Sequence, residues 1–125
     1  STMYSIKEVE IRSGLPASTL RYYEKEGILP DVGRDEGGRR VYTEKQMDWI
    51  RFLMAMKDTG MTIEEIKAYL ELNVKGEATI QERRDFLVAH KKKVEEQMAQ
   101  TQRNLEKIIQ KIAFYDHVVM GKSFS

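Results

Sequence analysis

Four side chains in one short stretch are suited to gripping a polyanion. Ser18, Arg21, Tyr22 and Lys25 recur at three- and four-residue spacing, so on a helix they share one face. A hydroxyl, a guanidinium, a phenol and an ammonium in a strip suit phosphates and base edges. Arginine in particular can fork onto a guanine or clamp a phosphate. Leu20 and Tyr23 fall toward another face and are expected to pack inward. The plainer reading is a solvated helix whose Arg21 pairs with a nearby acid such as Glu24.

A second constellation follows. Arg39 and Arg40 are adjacent and lead into Val41 and Tyr42. Strand alternation sends Arg40 and Tyr42 to one face and Arg39 and Val41 to the other. A ribbon carrying arginine beside a recognition helix reads as a wing on the DNA backbone. Such phosphate contacts position a protein without specifying sequence.

These side chains need elements to hold them, and the punctuation of the chain supplies the elements. In a capping box, Ser or Thr caps a helix and Glu or Gln three residues on reaches back. Ser5 with Glu8, Thr43 with Gln46, Thr62 with Glu65 and Thr79 with Glu82 fit that pattern. Three of these starts also carry a hydrophobic staple: Tyr4 with Val9, Tyr42 with Met47, and Met61 with Ile66. Gly14, Gly27, Gly60 and Gly76 follow helical stretches as stops. Helices are therefore expected at about 5–13, 17–26, 43–58, 62–74 and 79–118. Residues from Leu29 to Tyr42, with Gly33, Gly37 and Gly38, read as a small β-hairpin. Helix one, the turn Ser13-Gly14-Leu15-Pro16 and helix two form a helix-turn-helix pattern.

The last helix is of another kind. Ile80, Arg84, Leu87, Lys91, Val94, Met98, Thr101, Leu105, Ile108, Ile112, Tyr115 and Val119 step by fours and threes, and only Arg84, Lys91 and Thr101 are not apolar or aromatic. Their neighbours are mostly charged or amide side chains. A sustained seven-residue apolar repeat is a coiled-coil seam. About 40 residues at 1.5 Å each make a rod of roughly 60 Å. So small a globule cannot cover that seam, and a second copy in a two-fold dimer is the economical partner. Leu87, Val94, Met98, Leu105, Ile108, Ile112 and Tyr115 are the expected dimerisation residues. The other reading is a helix folded back on its own domain.

Composition sets outer bounds. The 125 residues carry a formal net charge of +1 and no cysteine. Charge balance alone does not point to nucleic acid, so the argument rests on where the cations sit. The missing thiols exclude structural disulfides, thiolate metal sites and thiol redox sensing. No apolar run reaches the length of a membrane helix, and no secretory pattern opens the chain, so a cytoplasmic protein is expected. Ser1 and Thr2 read as an expression scar before Met3. His90 and His117 lie far apart, and solvated surface histidines are expected rather than a metal site. No catalytic motif appears, so no enzyme and no cofactor is expected. Trp49, Phe52, Leu53 and Met56 sit at core spacing on helix three, with a ligand pocket there as the alternative.

The ordered set Tyr4-Ser5-Ile6-Lys7-Glu8-Val9, Gly14-Leu15, Thr19-Leu20-Arg21-Tyr22-Tyr23-Glu24, Gly27-Ile28-Leu29-Pro30, Arg40-Val41-Tyr42 and Thr59-Gly60-Met61 closely resembles the MerR family of bacterial transcription regulators. The resemblance implies an all-α fold with a small β-hairpin wing: a winged helix-turn-helix head and a long C-terminal coiled-coil helix, paired antiparallel in a homodimer. It implies pseudo-palindromic operators inside over-long promoter spacers, and DNA distortion that realigns the contacts of RNA polymerase. That is indirect readout used as a switch. By position it assigns Ser18, Thr19, Arg21 and Tyr22 to DNA contact from the recognition helix, beside Lys25 from the spacing argument. It assigns Arg40 and Tyr42 to the first wing, and Lys57 and Thr59 to a second wing. Expected domains are 3–75 for DNA binding and 79–119 for the coil, with 120–125 as a short tail that leaves no room for an effector domain.

Departures from the family pattern matter. Pro16 stands where a capping Ser is common, so helix two needs a substitute, Ser18 or a water. Arg39 replaces a frequent aromatic of the wing. Phe52-Leu53-Met54-Ala55-Met56-Lys57 resembles the aldehyde- and thiol-stress branch, but Ala55 stands where that branch tends to carry its cysteine, so its chemistry does not carry over. The expected partners are double-stranded DNA, a second copy, polymerase and a small-molecule inducer, with no membrane. The alternative is a constitutive architectural or coiled-coil interaction protein without an effector, marked by sequence-blind, steeply salt-dependent binding.

Overall fold

The computed structural model of the chain describes residues 2–123. It runs β1 (Met3–Ser5), α1 (Ile6–Ser13), α2 (Ala17–Lys25), β2 (Gly33–Arg34), β3 (Arg40–Thr43), α3 (Glu44–Asp58), α4 (Ile63–Val74), a 3-10 turn (Gly76–Thr79) and α5 (Ile80–Ser123). This is the expected class: helices, a small wing sheet and one long last helix.

Local signals explain the helix starts. Ser5, Thr43 and Thr62 each accept from the backbone N–H three residues on, and Glu8, Gln46 and Glu65 return the bond, so three of the capping boxes form. The six staple residues are all buried. At Thr79 the hydroxyl donates to the carbonyls of Leu72 and Gly76 and is buried. Gly14 takes φ 79°, the left-handed conformation that lets α1 turn into α2.

The start of α2 has an unexpected cap. Pro16 offers no side-chain bond. Instead the Glu10 carboxylate of α1 accepts the Ala17 N–H at 2.7 Å. A carboxylate there satisfies a free donor and meets the positive end of the helix dipole. Neither Ser18 nor a water is needed for it. Glu10→Ala should cost about 1 kcal/mol, and Glu10→Gln less because an acceptor is kept. Denaturant unfolding of the two variants checks this.

The sheet holds one strand more than the hairpin expectation. Its order is β1-β3-β2, all antiparallel, with Tyr4 opposite Tyr42 and Arg34 opposite Arg40. β1 pins the wing to the start of α1. One face of this sheet packs on the helices. There Val9, Leu20, Tyr42, Met47, Ile50, Leu53 and Ile66 are fully buried. Each such side chain contributes roughly 1.5–3 kcal/mol on leaving water.

Two compact units result, one reaching to Arg84 and one starting at Asp85. The first extends past the expected boundary at 75 because Arg83 ties the start of α5 back to α4. Its guanidinium donates to Asn73 Oδ1 at 2.8 Å, to the Gly76 carbonyl at 2.9 Å and to Thr79 Oγ1 at 3.2 Å. In the second unit α5 continues through Ser123, so residues 120–123 are helical rather than a tail; Phe124 and Ser125 of that expected tail lie outside the described residues. Met98, Leu105, Ile108, Ile112 and Tyr115 are each about half exposed or more, while Leu87 and Val94 are half-buried. Ile109, Phe114 and Met120 are exposed beside them, so the apolar strip is wider near its end than a two-position seam. His90 is half-buried and His117 exposed.

Candidate nucleic-acid interface

On α2, Ser18, Arg21, Tyr22 and Lys25 are exposed, Thr19 is half-buried, and Leu20 and Tyr23 are buried. The face assignment of the recognition helix therefore holds. Arg21 does not pair with Glu24. That carboxylate is taken by Arg40 of β3, whose Nε donates to Glu24 Oε1 at 2.6 Å. Partial desolvation, then the nearby Glu26 carboxylate, holds the Tyr22 phenol above its ordinary pKa. It stays a neutral donor at physiological pH.

The wing corrects one expectation. Tyr42 is fully buried, and its hydroxyl has no hydrogen-bond partner among the described residues. Alternation did place Arg40 and Tyr42 on one face, but that face turns toward the helices. The reason is the staple: Tyr42 precedes the Thr43 cap and packs with Met47, so its ring belongs to the core. Tyr42 is thus a core side chain rather than one presented on the surface of the wing. Burial first, then the Glu24 carboxylate, pushes its phenol above the ordinary pKa. Arg40, at the rim of the same face, reaches Glu24 and stays three-quarters buried.

The outward cations of the wing are others. Arg39 is largely exposed, and Arg34 donates to the Gly38 carbonyl at 3.1 Å. At the tip, Asp35 Oδ1 accepts the N–H groups of Gly37 and Arg39, each at 2.9 Å, and Gly38 turns with φ 77°. The Arg39 N–H is the first cause holding the Asp35 carboxyl below its usual range.

These pieces converge. A shallow depression of about 360 Å³ is lined by Lys7 from the first turn of α1, Arg21 from α2, and Arg34, Arg39 and Arg40 from the wing. No carboxylate lines it. Five cations from three elements around one hollow suit a run of phosphates, although the chain as a whole is nearly neutral. Of the expected residues, Arg21 and Arg40 meet here. Lys7, Arg34 and Arg39, which line it too, were not among the expected residues. Arg34 and Arg39 stand on either side of the Gly37-Gly38 turn, which is the signal in the sequence that could have found them.

Lys57, in the last turn of α3, and Thr59, which caps its C-terminus, stand apart. Lys57 is half-buried. The Thr59 hydroxyl donates to the Ala55 carbonyl at 2.7 Å and to Met56 at 3.2 Å, closing the end of α3. Its proton is committed within the protein.

Trp49, Phe52 and Tyr69 form an aromatic cluster joining α3 to α4, with Trp49 stacked on Tyr69 at 6.2 Å and its indole N–H on the Ile28 carbonyl at 2.8 Å. Leu53 and Met56 are buried as expected. An open groove of about 500 Å³ runs beside the cluster, lined by Trp49, Phe52, Leu70, Pro30 and Asp31. Among the described residues no group of His, Asp and Glu is placed to hold a metal, and no helix is long and apolar enough to cross a membrane.

The family model for the MerR HTH family regulatory protein matches residues 4–73, and that for MerR, DNA binding, matches residues 47–111. The chain is 40% identical over 112 residues to an uncharacterised HTH-type transcriptional regulator of Haemophilus influenzae, covering 90% of this chain and 83% of that one. It is similar to the solved structure of HiNmlR, a MerR family regulator lacking the sensor domain, bound to promoter DNA. The TM-score is 0.87 at 39% identity, over 92% of this chain and 87% of that one. A MerR family regulator from Bacillus thuringiensis aligns with TM-score 0.83 at 33% identity, over 90% and 98% of the two chains.

Proposed function

Because the chain belongs to the MerR family of helix-turn-helix regulatory proteins, we propose that it docks on promoter DNA through the face joining α2 to the β2–β3 wing, as a homodimer held by α5. The chain is a DNA-binding transcription regulator. The observation that carries the docking face is the five-cation depression between Lys7, Arg21 and the wing. HiNmlR, a solved structure to which the chain is similar, is bound to promoter DNA.

In this reading α2 lies in the major groove. Ser18, Arg21, Tyr22 and Lys25 reach base edges and phosphates, with Thr19 at the margin. Lys7, Arg34, Arg39 and Arg40 grip the backbone beside it, and Lys57 forms a second, weaker grip. Residues 3–75 with the start of α5 make the DNA-binding domain, and the rest of α5 makes the dimer. The exposed strip Met98, Leu105, Ile108, Ile112 and Tyr115 supports pairing, because a lone helix would leave that much apolar surface in water. Two heads on one coil address a two-fold, pseudo-palindromic operator. Deforming that site is the switch, and RNA polymerase reads the result. The protein works in the cytoplasm and catalyses nothing. A small-molecule inducer is sought first in the groove along Trp49 and Phe52, whose size suits a small ligand.

Footprinting of the full chain on its own upstream region, with and without small electrophiles and organic cations, tests this. The expected result is a two-fold footprint inside a promoter spacer, altered by one compound. Uniform, sequence-blind protection that vanishes steeply with salt would overturn it in favour of an architectural protein.

A further inference from the structure

Glu24 occupies an unusual place for an acid. It lies on the recognition helix, yet its partner is the wing. The Glu24 and Arg40 side chains are respectively 28% and 23% exposed, so the pair is partly shielded from bulk water. Arg40 is also one of the five cations lining the depression. Of those five, Arg39 is paired only within its own hairpin, with Asp35. Among the described residues, Arg40 alone of the five is tied by a carboxylate from another element. The buried Tyr42 phenol lies close enough to feel the charges of both groups.

Two consequences follow from elementary electrostatics. A hydrogen-bonded, partly desolvated ion pair fixes the direction of a guanidinium better than solvent does. It also cancels one unit of charge where a phosphate would arrive. Undirected attraction to DNA scales with the number of phosphates neutralised, and it is the same for every sequence. An internal counter-ion behind one wall of the cleft therefore lowers the affinity common to all DNA. It leaves the contacts that need geometry.

We propose that Glu24 is a positioning and specificity-determining residue of the DNA interface, anchoring Arg40 between recognition helix and wing and withholding its charge from indiscriminate phosphate binding. The proposal rests on the docking face given above. It assigns Glu24 no contact with DNA.

The test compares full-length variants on two duplexes of equal length: one recovered by in vitro selection with the wild-type protein, and a scrambled one. Affinities are measured across salt, and thermal unfolding confirms folding. Glu24→Gln should bind the scrambled duplex more tightly and steepen the salt slope by about 0.9, one extra phosphate. Its ratio of selected to scrambled affinity should narrow about tenfold. Glu24→Asp keeps the charge but shortens the reach, so its ratio should narrow at an unchanged slope. Glu24→Gln combined with Arg40→Gln should return the slope to the wild-type value. A purely structural Glu24 would lower both affinities equally with no change of slope, and that result overturns the inference. If Glu24→Gln does not fold, Glu24→Asp decides, and an intact ratio overturns the inference. If the wild type itself selects no duplex, the docking face fails and takes the inference with it. If the wild type selects and the variants keep its ratio and slope, only the role of Glu24 fails.

Discussion

Arg21→Ala should weaken binding to the selected duplex by about 5- to 150-fold, the equivalent of about 1–3 kcal/mol for a forked contact to a base edge. The loss on a scrambled duplex should be far smaller. Arg21 is exposed on α2, has no carboxylate partner among the described residues, and lines the cationic depression. Its side chain is exposed, so the variant should melt like the wild type. Arg34→Gln is the contrasting control. Arg34 sits on the wing and its effect should be uniform across sequences, with a salt slope shallower by about 0.9. Fluorescence anisotropy titrations at several salt concentrations separate the two patterns. Equal losses on both duplexes for Arg21→Ala would move base reading away from this residue.

Tyr42 should behave in the opposite way. Tyr42→Ala removes a fully buried aromatic ring and should cost about 3–5 kcal/mol. That is a large part of the 5–15 kcal/mol typical of a whole domain. Tyr42→Phe keeps the ring and deletes a buried hydroxyl that has no partner among the described residues. Leaving such a group unpaired costs about 1–3 kcal/mol, so Phe should be as stable as Tyr or more so. DNA affinity per folded molecule should stay within the error of titration. Denaturant midpoints and binding curves for the two variants decide it. Loss of DNA binding in a stable Tyr42→Phe would restore the hydroxyl as a contact.

Whatever depended on residues close in sequence was legible. The boxes at Ser5, Thr43 and Thr62 set helix starts within a turn. The exposed face of α2 follows from a period of 3.6, because Leu20 and Tyr23 point away from Arg21. What failed depended on residues far apart. β1 is three residues long and merges with the capping signal at Ser5, so only its pairing with β3 reveals it. Alternation put Arg40 with Tyr42 but could not say which way that face turns; the Met47 staple pointed to the answer. Lys7 joins Arg34 and Arg39 around one hollow only after the sheet has brought α1 to the wing. The substitute cap from Glu10 likewise needs α1 folded against α2.

The wing tip has a kinetic corollary. Asp35 closes the turn on itself, accepting two backbone N–H groups while its own N–H donates to the Arg39 carbonyl at 2.8 Å. The loop is ordered before any DNA arrives. An encounter then costs little conformational entropy at the tip, and arginines already in place need no search. Variants that keep this turn should differ little in how fast they associate and much in how long they stay, so residence time on the promoter is the quantity that the rest of the interface adjusts.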